Sequence, residues 1–426
     1  MSGPSWAVTA IARRPFLAKS GERLGQVRDV VARLTENAYP RIAGFVVRIG
    51  DQQAFVRVQD VSTLDAGGAR LAVDRVDLRP FERRPREILL MGDLVGRNVI
   101  SVGDARLIRV RDVTLRPRSN HLEVTSIVAG RRPVWERVLL RTAGYIEPER
   151  LVDWLDIEPL LGHVPTARRR LPFARVARLH PARLADMVEA ASPSEGEEIL
   201  TAVAESRDLQ ADVFEELDPD FQIAYLHDRS DAEAAEILAS MAPDDAADVL
   251  LRLGKDRSAL ILGRLPLPQL RKVRLLLGYN PETAGGLMSP EFLAVSAGAT
   301  VEQACARVRE STLPARVLDT LYVVDESGRL VGQAPITELL RRGPTEPVAA
   351  AADDSVSVEA HADIPEIAIA MTDFNLEALQ VVDAEGHILG IIAVDDLLEV
   401  MLPVEWRTRV RHYPSGDDRR EVAAPE

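Results

Sequence analysis

Leu321-Tyr322-Val323-Val324-Asp325-Glu326-Ser327-Gly328-Arg329-Leu330-Val331-Gly332 returns about 58 residues later as Leu379-Gln380-Val381-Val382-Asp383-Ala384-Glu385-Gly386-His387-Ile388-Leu389-Gly390. Each copy reads as an apolar, β-branched strand, an Asp-x-x-Gly turn and a second strand ending at glycine. A helix is expected after each, over 337–341 and 395–401. A strand–turn–strand–helix pattern repeated at fixed separation marks a duplicated unit and predicts two small α/β bodies at the C-terminal end.

Upstream, from Pro181 to about Leu277, the period becomes helical, with many Ala, Leu, Asp and Glu. Leu226, Leu238, Leu250 and Leu262 fall 12 residues apart, as do Ala235, Ala247 and Ala259, and Met241, Leu253 and Leu265. Asp218-Pro219, Ser230-Asp231, Pro243-Asp244 and Pro266 punctuate them. Each unit is therefore a short capped helix whose single apolar face needs its neighbours for burial, which predicts an α-superhelix.

Between the helices and the first α/β copy stands Tyr279-Asn280-Pro281-Glu282-Thr283-Ala284-Gly285-Gly286-Leu287-Met288-Ser289-Pro290-Glu291-Phe292. The two α/β copies resemble a tandem CBS pair. The linear order of short-helix stack, this join and paired CBS units resembles the cytosolic part of MgtE-type magnesium channels, over about Leu179 to Pro403. In that family a plug helix and a five-helix pore follow the second CBS unit, whereas this sequence ends about 25 residues later. The resemblance thus implies the sensor without the channel.

Asp244 and Asp248, in Asp244-Asp245-Ala246-Ala247-Asp248, stand four apart on one helix face, where like charges repel unless a cation intervenes. Mg²⁺ is a hard ion that keeps several waters and is held by one or two carboxylates at a site, so opposed acidic surfaces suit it. The resemblance implies magnesium-binding carboxylates at Asp212, Asp244, Asp248 and, on the second CBS unit, Asp396. It puts Asn375 where a further acidic residue is expected, which removes a charge from one site. The alternative is that these residues are helix caps and solvated surface, Asp244 following Pro243 at a helix start. CBS pairs often hold adenine nucleotides with a Ser or Thr three residues before an Asp. Here Ala393 precedes Asp396 and Pro335 precedes Glu338, so adenine-nucleotide binding is not expected. The family also implies a homodimer through the CBS units.

From Arg13 to about Arg79 the pattern is short β-rich runs broken by Gly, Asp and Asn, among them Leu24 to Val31, Ile42 to Ile49 and Ala54 to Val58. A second β-rich run, from about Ile88 to Ile127, carries Leu107-Ile108-Arg109-Val110-Arg111-Asp112-Val113, an echo of Gln26 to Val30. Two barrel-like units, or two halves of one, are expected. Gly21 to Val30 follows Gly-x-x-x-Gly-x-Val-x-Asp-Val, which resembles the opening of PRC-barrel domains. A connector helix is expected over 137–159.

The fold class expected is α+β multidomain: N-terminal antiparallel β-barrel units (PRC-like), an α-superhelix of short helices, and a C-terminal tandem CBS α/β pair. The boundaries are 10–82 and 86–160 for the β units, 161–178 for a basic linker containing Arg168-Arg169-Arg170, 179–286 for the superhelix, 287–345 and 346–403 for the CBS units, and 404–426 for a disordered tail. With 426 residues, several cores are required. Hydrophobic residues at 46% and charged at 28% fit folded protein, and aromatics at 4% leave Ala, Val, Leu and Ile to fill the interiors.

Net charge is −14, divided unevenly. Residues 1–175 carry 30 basic and 20 acidic side chains and the rest 22 and 46, so the front is +10 and the back −24. Such asymmetry points to different partners for the two parts: RNA or an anionic surface for residues 1–175, divalent cations for the remainder. The β runs lack the interleaved Phe and Tyr that stack on bases.

A single cysteine, Cys305, excludes an intramolecular disulfide and a Cys-ligated metal. No run of about 18 apolar residues and no signal-peptide pattern occurs, and a cytoplasmic location is expected. Only three lysines accompany the arginines, a bias of GC-rich bacterial genomes. The seven histidines show no metal spacing, and no phosphate-binding glycine loop or nucleophile elbow is present, so no enzyme is expected. The function expected is that of a non-enzymatic regulatory protein, linked to magnesium homeostasis or transport regulation, that senses Mg²⁺ through its superhelix and CBS units and passes its state through the basic β half to a partner, a membrane transporter being one candidate. The alternative is an RNA- or ribosome-associated protein or a scaffold acting through the basic part.

Overall fold

The computed structural model describes residues 5–35, 38–65, 68–73, 80–118, 121–130, 151–164 and 175–403. Residues 137–150 of the span expected as a connector helix, the arginine run of the linker and the C-terminal tail lie outside them. Two compact units emerge, one ending at Leu217 and one beginning at Asp218.

The first unit is built on a 13-stranded sheet. In its first half the strand Arg23–Arg33 pairs antiparallel with Arg41–Ile49, opposing Val27 to Val47 and Val30 to Phe45, and these side chains are buried. In the second half Arg106–Arg118 pairs with His121–Ala129, opposing Val113 to Ile127. From Leu151 the chain is extended: Leu151–Asp153 pairs along His121–Ala129, and Ile157–Pro159 pairs with Asn98–Ser101.

The echo between Gln26–Val30 and Leu107–Val113 has a structural cause. The strand Trp6–Ala7 crosses over to pair with Leu115 and Thr114 of the second half. Reciprocally, Glu87–Leu89 pairs with Val31 to Arg33 of the first. Each crossing strand runs into a short helical turn, Val8–Ile11 or Leu90–Leu94, that an aspartate of the opposite half caps. Asp112 accepts the backbone N–H of Thr9 at 3.0 Å and that of Val113 at 2.8 Å, and also the Thr9 hydroxyl. Asp29 accepts the N–H groups of Val30 at 2.7 Å, Met91 at 2.9 Å and Gly92 at 3.0 Å. The halves are thus mutually exchanged, and neither completes its own core.

Burial pushes the Asp29 carboxyl up to about 6, against the pull of its three N–H donors, with the charge of Asp93 adding to the rise. Three helices, Pro181–Ala190, Pro193–Val203 and Arg207–Glu215, complete this unit. Glu195 receives the Asn98 side-chain amide at 3.0 Å and Glu198 receives the Gly162 N–H at 2.6 Å, which ties helix to sheet.

The second unit opens with five helices: Pro219–His227, Asp231–Ser240, Pro243–Arg252, Lys255–Leu262 and Leu267–Leu276. Asp218 caps the first and a Ser230–Glu233 capping box starts the second. The 12-residue period holds through Leu226, Leu238 and Leu250, and through Ala235 and Ala247, all buried. It then slips: Ala259 is exposed and Leu262 half-buried, while Ser258 and Ile261 face inward. Gly254, at φ 86°, turns the chain into the fourth helix and shifts its inward face by one residue.

Each CBS unit is a three-stranded sheet. Ala294–Ser296 lies parallel to Thr320–Val324, which pairs antiparallel with Leu330–Pro335. Ser357–Glu359, Ala378–Val382 and Ile388–Ala393 repeat the arrangement. The two hairpins meet through an Arg329–His387 bridge, and the buried Gln380 donates to Gln333 at 2.9 Å. In the join, Gly285 and Gly286 allow close packing: a Cβ on Gly285 would stand 2.5 Å from the Tyr279 ring, and one on Gly286 2.2 Å from the Asn280 carbonyl.

Candidate metal centre

The join positions the site. Ser289 exchanges backbone hydrogen bonds with Ile391, at 2.7 and 2.9 Å, and so sits on the outer strand of the second CBS sheet. Its hydroxyl donates to Asp244 Oδ1 at 3.1 Å. That bond brings the start of the Pro243–Arg252 helix to the second CBS unit, with Lys272–Glu291 at 2.6 Å as a second tie between the helices and the join. A Cβ on Gly390 would lie 2.6 Å from the Ser289 carbonyl, so glycine is required where the strand passes under it.

Asp244 lies in the first turn of its helix and Asp248 one turn on. Asp396 lies in the first turn of the Val394–Met401 helix, which Ala393 precedes as N-cap. Its carboxyl is pushed up to about 7, first by loss of water, then by the negative charges of Asp244, Asp395 and Glu399, against a stabilising backbone N–H from Ala393. Asp248 keeps an exposed flank, yet protein around its carboxyl also removes water and raises its pKa; Arg252 opposes the rise and Glu399 adds to it. Asp244, Asp396, Glu399 and Asp248 therefore form a chain of mutually repelling carboxylates drawn from two elements. All their donors are hard oxygens, the ligand type that Mg²⁺ and Ca²⁺ take.

Glu399 was not among the residues singled out from sequence. Its signal was there: it stands three residues after Asp396, hence on the same helix face. Asp212 sits exposed on the Arg207–Glu215 helix of the first unit and is not among the carboxylates that the second unit gathers. Asn375 is exposed at φ 50°, just after the Ile364–Asp373 helix, a left-handed position that asparagine tolerates better than a larger side chain. A further group, Asp383, Glu385 and His387, is the hairpin turn itself, where Asp383 accepts the backbone N–H groups of Glu385 at 3.0 Å and His387 at 2.8 Å. Ala393 and Pro335, the positions lacking the nucleotide-binding hydroxyls, are both helix N-caps.

The family profile of the MgtE intracellular N domain matches residues 179–282, and that of the CBS domain matches 284–344 and 348–403. The magnesium transporter MgtE of Thermus thermophilus is 35% identical over 195 residues, which is 45% of this chain and 43% of that protein. That of Bacillus subtilis is 27% identical over 208 residues, 49% and 46% of the two chains. The chain spans less than half the length of these curated relatives. Among solved structures, the soluble part of a magnesium transporter aligns with a TM-score of 0.50 at 27% identity, over 54% of this chain and 90% of that one. The cytosolic domain of the Mg²⁺ channel MgtE in complex with ATP aligns at 0.49 and 32%, over 53% and 92%. By the family profiles, residues 179–403 carry an MgtE intracellular N domain followed by tandem CBS domains, and they are homologous to the corresponding parts of the magnesium transporters named above. Among the described residues no helix is long and apolar enough to cross a membrane.

Proposed function

We propose that the second unit is a non-enzymatic Mg²⁺ sensor in the cytoplasm. Asp244 and Asp248 on one side and Asp396 with Glu399 on the other would hold the ion, with water completing its shell. The observation that carries this reading is the Asp396 carboxyl, held near 7 by desolvation and three like charges, a position that a divalent cation relieves. Bound Mg²⁺ would neutralise the repulsion and favour the arrangement in which helix and CBS unit stand close; without it, repulsion would populate a looser one. The relatives named as magnesium transporters suggest the recipient of the signal: a membrane transporter, contacted by a homodimer formed through the CBS units. Adenine nucleotide is not part of this proposal, because Ala393 and Pro335 offer no hydroxyl to a ribose.

Limited proteolysis across 0 to about 20 mM Mg²⁺, a span around the weak end of oxygen-ligand affinities, tests the reading at constant ionic strength. Protection of residues 264–274 by Mg²⁺, lost in Asp244→Asn/Asp248→Asn, is the expected result. An identical digest at every concentration contradicts it.

A further inference from the structure

The two CBS units differ sharply in charge. Residues 287–345 hold six Arg and seven Asp or Glu, whereas residues 346–403 hold thirteen Asp or Glu and no Arg or Lys. The closing helix of the second unit, Val394–Met401, buries Leu397 and turns Val394, Leu398 and Met401 outward, Leu398 being 50% and Met401 52% exposed. These three stand at i, i+4 and i+7 and make one apolar stripe, bordered by Asp395 and Glu399. An apolar stripe with a charged rim is the pattern of a docking surface. The corresponding helix of the first unit stops after four residues, Ile336–Leu339, and exposes one apolar residue at its end, Leu340. The first cationic side chains beyond Arg342 come in Val404-Glu405-Trp406-Arg407-Thr408-Arg409-Val410-Arg411-His412-Tyr413, which lies outside the described residues. Trp406, Val410 and Tyr413 repeat the i, i+4, i+7 spacing, with Arg407, Arg409 and Arg411 among them.

We propose that residues 404–413 fold back on the 394–401 helix of their own chain, Trp406 and Val410 covering the stripe and the arginines serving as counter-ions to the carboxylates along its border. Only Leu402 and Pro403 separate the segment from the helix. Eight helical residues measure about 12 Å, a length that ten residues cover even when helical. A second copy laid on this stripe would set an all-acidic unit against itself, which leaves the proposed homodimer to other CBS surfaces; the tethered segment brings the opposite charge at high effective concentration. Its arginines would also compete with a divalent cation for Asp396 and Glu399, a consequence that rests on the sensor reading above.

The full chain, kept in EDTA, is treated with hydrogen peroxide, and sulfoxide at each methionine is followed by peptide mass spectrometry. Met401 is expected to oxidise at least fivefold faster in Trp406→Ser/Val410→Ser than in the wild type. Met288 and Met371 are buried and should stay protected in both chains, which shows that the unit remains folded. Equal oxidation of Met401 in the two chains overturns the docking. Protection that fades on dilution places a second copy on the stripe and overturns it as well. The Mg²⁺ concentration that half-protects residues 264–274 from proteolysis is then compared with that for Arg407→Glu/Arg409→Glu/Arg411→Glu. A fall of at least threefold is expected, and an unchanged midpoint overturns the competition. Absence of any Mg²⁺ response contradicts the sensor reading and the competition together, while the Met401 result decides the docking by itself.

Discussion

Without a cation, Asp396 faces Asp244, Asp395 and Glu399 with little water to screen them, and the sign of the consequence is fixed by its raised pKa. A carboxyl whose folded pKa exceeds its unfolded value near 3.8 contributes stability fully below about 4 and loses it as pH rises through about 7. The metal-free second unit should therefore melt at progressively lower temperature from about pH 5 to about pH 8 in calorimetry. Asp396→Asn should flatten that slope, and Mg²⁺ should stabilise the wild type more at the higher pH, where protons no longer compete. At a concentration ten times its Kd the ion should add about 1.4 kcal/mol. Gly390→Ala belongs to the same scale: a Cβ 2.6 Å from the Ser289 carbonyl forces the strand and join apart. The variant should cost about 2 kcal/mol, read as a lower denaturation midpoint of the second unit with Mg²⁺ affinity reduced alongside. Asp244 and Asp248 were legible in the sequence as an i, i+4 pair, and Glu399 was legible by the same rule beside Asp396. Their convergence was not, because it depends on the bond from Ser289 to Asp244 across 45 residues.

At the scale of elements, the duplicated hairpin and the helical period were readable because each repeats a local pattern. The exchange in the first unit was not, since nothing in Trp6–Ala7 or Glu87–Leu89 states which strand each will join. What could be read was its trace, the aspartate that recurs at 29 and 112 because each half must cap the other's incoming turn. Asp29→Ala leaves the partly buried Met91 and Gly92 N–H groups without their acceptor, and should destabilise the unit by about 2 kcal/mol. Because the halves interlock, Asp112→Ala should shift the same single transition rather than release a separate half. Two separable transitions within the first unit, seen by calorimetry, would contradict the exchange. The slip of the helical repeat at Ala259 has a similar lesson: spacing counted along the chain ignores the extra rotation that a left-handed Gly254 introduces.

The molecule as a whole divides at Leu217, inside the stretch that sequence periodicity treats as one superhelix. Unfolding should accordingly show two transitions, with Mg²⁺ and Asp396→Asn moving one and Asp29→Ala the other. The uneven charge, +10 before residue 176 and −24 after it, was evident from composition, but composition did not show which of the acidic side chains come together around Asp396. The most direct test of Mg²⁺ sensing is hydrogen exchange on the full chain, with and without about 20 mM Mg²⁺ at matched ionic strength, a concentration above the weak end of oxygen-ligand affinities. Slower exchange confined to peptides covering 243–252, 284–292 and 394–401, and abolished by Asp396→Asn, is the expected result. Exchange unaltered by Mg²⁺ in those peptides, or protection that survives Asp396→Asn, would contradict it.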